Sequence, residues 1–146
     1  MIIGFGSDHA GYDEKQQLQQ YVLDELDHET VDFGPSSDDA CDYPDYAHPV
    51  AEAVCDGECD RGVLICGTSA GMVMTANKHP GVRAFSCTDE YIAEMSRRHT
   101  KSNIICFGAR RHRLADFKRW LKKWLNTPFD GGRHERRVEN IPVDHE

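Results

Sequence analysis

The sequence predicts an α/β fold: a three-layer sandwich with a five-stranded parallel sheet and helices on both faces. Three observations carry this expectation. Five short, apolar, β-rich runs alternate with segments of helical periodicity along 146 residues. The run 63–66 (VLIC) is continuously apolar, as a strand buried on both faces should be. Each pair of successive runs is far enough apart to hold a helix, so right-handed parallel crossovers are the expected connections.

The elements follow in order. Residues 2–6 read as the first strand. Residues 14–26 carry apolar side chains at 18, 21, 22 and 26, the period of an amphipathic helix. Residues 29–33 are a second, weaker strand. The stretch 34–45 (GPSSDDACDYPD) is rich in turn residues and predicts a loop. Residues 46–55 form a short helix, 62–66 the central strand and 72–77 the next helix. Residues 82–87 are the fourth strand. Thr88 is placed to cap a helix over 89–98, acidic at its start and basic at its end, as the macrodipole favours. Residues 103–107 are the fifth strand. Leu114, Phe117, Leu121 and Leu125 mark one stripe of a helix over 114–125. From Thr127 the chain opens with Pro-Phe-Asp-Gly-Gly and continues as a polar, Arg-rich tail.

Length and composition set bounds. The chain suits one compact domain over residues 1–146, with no internal repeat. It is 39% apolar and 29% charged, a globular balance. No apolar run approaches the roughly 18 residues of a membrane helix, and the N-terminus lacks a secretory pattern. The expected location is therefore the cytoplasm, with no membrane partner. Six cysteines contain no Cys-x-x-Cys pair, so neither a zinc site nor a disulfide framework is expected. Most should be buried small hydrophobes, with Cys66 the exception. The net charge is −8, unevenly spread: residues 1–60 hold 16 Asp/Glu and one Lys, whereas 110–137 hold ten Lys/Arg and three Asp/Glu. The acidic half argues against nucleic acid as a partner. Lys118, Arg119, Lys122 and Lys123 read as a solvated helix face. The other basic residues suit a small anion or the acidic half of a neighbouring subunit.

Ligands of such sheets bind at the carboxyl ends of the strands. Three loops fall there: 7–11, 67–71 and 108–110. In the first, Asp8 and His9 stand together, which is more than the capping of a helix by Asp8 requires. In the second, Cys66-Gly67-Thr68-Ser69-Ala70-Gly71, glycines let the backbone approach a ligand and the following helix offers free N–H groups to an anion. It is neither a Gly-Lys-Ser/Thr phosphate loop nor a Gly-x-Gly-x-x-Gly dinucleotide turn. Cys66 ends the strand beside a helix N-terminus, where the reactive thiolate is favoured, suiting a nucleophile or a proton-abstracting base. His99 alone reads as a surface or capping histidine. Arg110 stands just past the fifth strand. Arg133, His134, Arg136 and Arg137 cluster after Gly131-Gly132, and guanidinium groups bind phosphate bidentately.

Taken together these segments resemble the type B ribose-5-phosphate isomerases and galactose-6-phosphate isomerase subunits, nearly end to end. The carriers are Gly6-Ser7-Asp8-His9-Ala10-Gly11, Asp42-Tyr43-Pro44, Cys66-Gly67-Thr68-Ser69-Ala70-Gly71, Ala76-Asn77-Lys78, Ser96-Arg97-Arg98-His99, Phe107-Gly108-Ala109-Arg110 and Gly131-Gly132-Arg133-His134. The resemblance implies a Rossmann-like sandwich that interconverts a phosphorylated aldose and ketose through a cis-enediolate, without metal or organic cofactor. It makes Cys66 the base that moves the proton between C1 and C2. One branch of the family has a Glu at the position of Met72, so this chain resembles the cysteine branch. The resemblance has the N–H groups of Gly67, Ser69, Ala70 and Gly71 hold the enediolate oxygen, with Thr68 steadying the site. It has His99, aided by Asp8, open the sugar ring. His9, Arg110, Arg133 and Arg137 match phosphate or substrate contacts, and Tyr43 lines the pocket. It further implies a homodimer or tetramer with sites between subunits, the tail from about 127 to 146 reaching a neighbour. Thr100 stands where the family often has an Asn that contacts a sugar hydroxyl. The expected substrate is ribose 5-phosphate with ribulose 5-phosphate. The alternatives are galactose or allose 6-phosphate, a tetrose phosphate, or a phosphosugar-binding protein without catalysis.

Overall fold

The computed structural model describes residues 1–143. Five parallel strands form one sheet: β1 (Ile2–Ser7), β2 (Glu29–Asp32), β3 (Arg61–Cys66), β4 (Ala84–Ser86) and β5 (Ile104–Gly108). Their order is β2-β1-β3-β5-β4. The two apolar central runs thus lie side by side, with Gly62 opposite Ile104 and Cys66 opposite Gly108.

Helices cover both faces. On one, α1 (Tyr12–Glu25), α4 (Glu90–Thr100) and α5 (Leu114–Asn126) bury Leu18, Val22, Ala93, Phe117, Leu121 and Trp124 against Phe5, Val63, Ile65 and Phe107. On the other, α2 (Pro44–Cys55) and α3 (Ala70–Ala76) bury Val50, Ala51, Met72 and Ala76 against Leu64, Cys66 and Cys106. This is the expected Rossmann-like, three-layer α/β arrangement. None of the described helices is long and apolar enough to cross a membrane.

Several expectations are corrected in detail. Helix α2 starts at Pro44 rather than residue 46, because proline's fixed φ suits a first helical turn. Thr88 does not cap α4. Asp89 does, accepting from the Ile92 N–H at 2.7 Å. Strand β4 is only three residues long, since the side chains of Asn77 and Asn103 bind the backbone N–H groups of Ala84 and Arg83 at its start. The tail folds into a helix, α6 (Arg133–Glu139), which puts Arg133 and Arg137 one turn apart on the same face. Of the cysteines, Cys59, Cys87 and Cys106 are buried as expected, Cys66, the expected exception, is buried too, and Cys55 is exposed and Cys41 half-buried. Burial pushes the Cys87 thiol up to about 12 and raises the Cys106 thiol well above its ordinary value, so both remain neutral, inert thiols.

Candidate active site

Two groups of candidate residues form at opposite ends of the sheet. The first is built where β1, β3 and β5 end. The chain leaves β1 for β2 on one side and β3 on the other, so Asp8 and Cys66 flank the point where the strand order reverses. Backbone bonds tie the three loops together. The Asp8 N–H donates to the Ile65 carbonyl at 3.1 Å, Ala109 to Cys66 at 2.8 Å and Arg110 to Gly67 at 3.1 Å.

Each side chain has a definite setting. Asp8 is buried, and its Oδ1 accepts from the N–H groups of Ala10 at 2.9 Å and Gly11 at 3.3 Å. Capping is therefore a real part of its role. Oδ2 accepts no bond among the described residues. His9 Nδ1 accepts the Cys41 N–H at 3.3 Å, which leaves the Nε2 proton of a neutral ring to point elsewhere. Arg110 lies over Gly67: a Cβ there would stand 3.0 Å from its Nη1. The Tyr43 ring packs on Gly71, where a Cβ would come within 2.4 Å of it. Only glycine admits that contact, which places a partly exposed tyrosine over the loop.

The loop after Cys66 is a donor-rich cradle. The N–H groups of Gly67, Thr68, Ser69 and Gly71 donate to no protein group among the described residues. The Ala70 N–H is engaged by Thr68 Oγ1 at 3.3 Å, so the loop offers four free donors, one of them from Thr68 itself. Ser69 holds a left-handed φ of 77°, uncommon for a residue with a Cβ, and its hydroxyl is bound to that of Ser86. The strained turn is thus anchored to the end of β4. Cys66 is 5% exposed at the base of this cradle.

The second group lies at the amino ends of the strands. Helix α4 runs back from the carboxyl end of β4 to the start of β5, so its last turn, with His99 and Thr100, sits at that edge. The four residue steps from Gly62 to Cys66 on β3 alone span about 13 Å. One chain therefore does not bring His99 to Cys66 or Asp8. The tail is folded onto the same end. The Asp130 N–H donates to the Arg98 carbonyl at 3.1 Å, and its carboxylate pairs with Arg98 at 3.5 Å. Helix α6 then sets Arg133 and Arg137 beside α4. The Thr100 hydroxyl donates to the Ser96 carbonyl of its own helix.

Asp130 is an addition that sequence reasoning did not single out, and His134, read there only as part of the basic cluster, gains a specific contact. The His134 ring stacks on His99, centroids 4.3 Å apart and planes 12° apart. The i, i+4 spacing of Arg133 and Arg137 was the available signal that this tail is helical. Ligand atoms of His99, Asp130 and His134 lie within 4.8 Å of one another. Nearly parallel rings do not aim their lone pairs at one point, however, and Arg98, Arg133 and Arg137 stand close by. This end of the molecule is suited to an anion rather than a cation.

A second missed residue is Lys15, fully buried on α1. It donates to Asp32 at 2.7 and 2.9 Å and to the Pro35 carbonyl at 2.9 Å. Burial would raise the Asp32 pKa. Hydrogen bonds from Lys15, Gln19 and the Gly34 N–H outweigh that and hold it below the usual carboxylate range. The clamp steadies the turn whose Gly34 carbonyl accepts the Ser7 N–H at 3.1 Å, one residue before Asp8.

Comparison with known proteins agrees with this geometry. Residues 3–141 match the family model described as Ribose/Galactose Isomerase. Ribose-5-phosphate isomerase B of Escherichia coli (strain K12) is 42% identical over 139 residues, covering 95% of this chain and 93% of that protein. D-erythrulose-4-phosphate isomerase of Pectobacterium atrosepticum is 35% identical over 97% of this chain and 93% of its own length. The structure of ribose-5-phosphate isomerase B from Clostridium thermocellum superposes with a TM-score of 0.94 at 46% identity, covering 97% of this chain and 95% of that one. By its match to the family model over residues 3–141, its identity to these relatives and its superposable fold, the chain belongs to the ribose/galactose isomerase family.

Proposed function

We propose that the protein is a ketol-isomerase that interconverts ribose 5-phosphate and ribulose 5-phosphate, with Cys66 as the base. The observation that carries this reading is the run of four undonated N–H groups in the loop that Cys66 enters, with Asp8 and Arg110 on the two adjoining loops. Open-chain aldose bound there would lose its C2 proton to the Cys66 thiolate. The negative charge moves to the carbonyl oxygen, which the loop N–H groups of Gly67, Ser69 and Gly71 stabilise, with Thr68 shaping the turn. Return of the proton to C1, with a proton passing from O2 to O1, completes the ketose. No metal or organic cofactor is needed in this scheme.

The remaining steps call for a second copy of the chain. His99 opens the ring by giving a proton to the ring oxygen while Asp8 of the other copy accepts the anomeric hydroxyl proton. The phosphate is held by His9 and Arg110 on one side and by Arg133 and Arg137 of the second copy on the other. The separation of the two residue groups within one chain supports a homodimer, or a tetramer of such dimers, with the tail from about 127 to 143 reaching the neighbour; residues 144–146 of that expected tail lie outside the described residues. A cytoplasmic sugar-phosphate metabolism fits this chemistry. Purified protein given ribose 5-phosphate should form ketose, and Cys66→Ala should not. Full activity in that variant would remove Cys66 from the mechanism.

A second reading changes only the substrate's length. It draws on the Thr100 hydroxyl, turned back to Ser96 rather than outward, and on the tetrose-phosphate name of one relative. A panel of tetrose, pentose and hexose phosphates ranked by kcat/KM distinguishes the two. A protein that binds phosphosugars without turnover would show no exchange of the C2 proton with solvent.

A further inference from the structure

We propose that His134 is a positioning residue for ring opening: its imidazole, stacked on the face of His99, holds that ring in the orientation needed for proton transfer. The proposal rests on the reading of His99 given above.

His99 is exposed on the last turn of α4, and its side chain makes no hydrogen bond among the described residues. An unsupported imidazole there would sample several rotamers, and proton transfer tolerates little misplacement. The support comes from one direction. His134 is 8% exposed and lies face to face with His99 at 4.3 Å and 12°. Its own placement is secured in turn. The His134 N–H donates to the Gly131 carbonyl at 3.1 Å, and the Asp130 N–H holds the preceding turn to Arg98. Two stacked imidazolium rings would repel, so one ring of the pair must be neutral. Desolvation, His99, Arg133 and Arg137 push the His134 pKa down, against an opposing effect of Asp130. That direction favours the neutral form of His134, which can lie face to face with His99 without charge repulsion.

The test separates ring opening from the C–H step. Ribulose 5-phosphate is open-chain, so deuterium entry at its C1 in D2O reports the base alone. Net conversion of ribose 5-phosphate also requires ring opening. For full-length His134→Ala, net conversion should fall about tenfold while deuterium entry stays within about twofold of the parent. His134→Phe keeps a flat ring without a proton and should recover most of the loss. His99→Asn should show the same split, but larger. Equal loss of both rates in His134→Ala, or no recovery in a folded His134→Phe, would overturn the proposal. If His99→Asn splits the rates and His134→Ala does not, the positioning role alone fails. If His99→Asn does not split them, the ring-opening reading beneath it fails.

Discussion

The carboxyl and amino edges of the sheet carry the two halves of the proposed chemistry, and they are held by different means. At the carboxyl edge the loops after β1, β3 and β5 are tied to neighbouring strands by backbone hydrogen bonds, and Cys66 sits nine-tenths buried among them. At the amino edge His99, Arg133 and Arg137 rest on contacts between α4 and a tail some 30 residues further along, among them a ring stack, a part-exposed ion pair, a backbone bond, the bond from Arg97 to the Thr127 carbonyl and Lys101 over the Phe129 ring. Exposed ion pairs contribute little, of order 0–1 kcal/mol, so the second half is the softer one. The contrast suits the division of labour. Proton abstraction needs a rigid cradle. In the proposed reading, ring opening and phosphate capture come from a surface that meets a different copy.

Breaking the rigid half should have the largest effect. Cys66→Ala removes the base, and ketose formation should fall on the order of 10³-fold with the fold unchanged by circular dichroism. Next comes the clamp behind this edge. Asp32→Ala leaves the buried Lys15 ammonium without its carboxylate and, because Asp32 is itself 38% exposed and screened, should cost about 1–2 kcal/mol in urea denaturation. The same pair sets a pH dependence. The Asp32 pKa is depressed in the folded state, so its contribution is fully present above the ordinary carboxylate pKa and is lost as pH falls through its lower folded value. The acid melting of the parent should be steeper there than that of Asp32→Asn. The soft half should respond in binding rather than stability. Arg137→Ala should raise KM about tenfold with kcat changed less, and the parent KM should rise with salt. The smallest effect is a gain. Ser7 Oγ is buried without a hydrogen-bond partner among the described residues. Ser7→Ala should therefore stabilise the protein by about 1 kcal/mol.

The same contrast explains what the sequence disclosed. The strand 61–66, the loop after it and the Asp8-His9 pair are contiguous segments whose residue types carry their geometry, so this half was legible. The amino-edge half was only partly so. Arg133 and Arg137 were recognisable as anion contacts, but the helix that aligns them lies in a polar tail with no apolar stripe. The pairing of His99 with His134 depends on how α4 and α6 pack, which no local pattern encodes. Lys15 was hidden for a related reason. A lysine on an amphipathic helix reads as exposed, and only the turn at 32–35 reveals the carboxylate and carbonyl that allow its burial.

In the proposed site the carboxyl-edge half comes from one copy and the amino-edge half from another. Mixing subunits tests it directly. Cys66→Ala and His99→Asn are each expected to be nearly inactive alone. After unfolding and refolding together in equal amounts, half of a set of twofold dimers would carry one subunit of each kind. Each mixed dimer would then hold one site with both Cys66 and His99 intact and one with neither. Activity should recover to about a quarter of the parent's. No recovery, in a mixture shown by native mass spectrometry to contain the mixed dimer, would contradict the account.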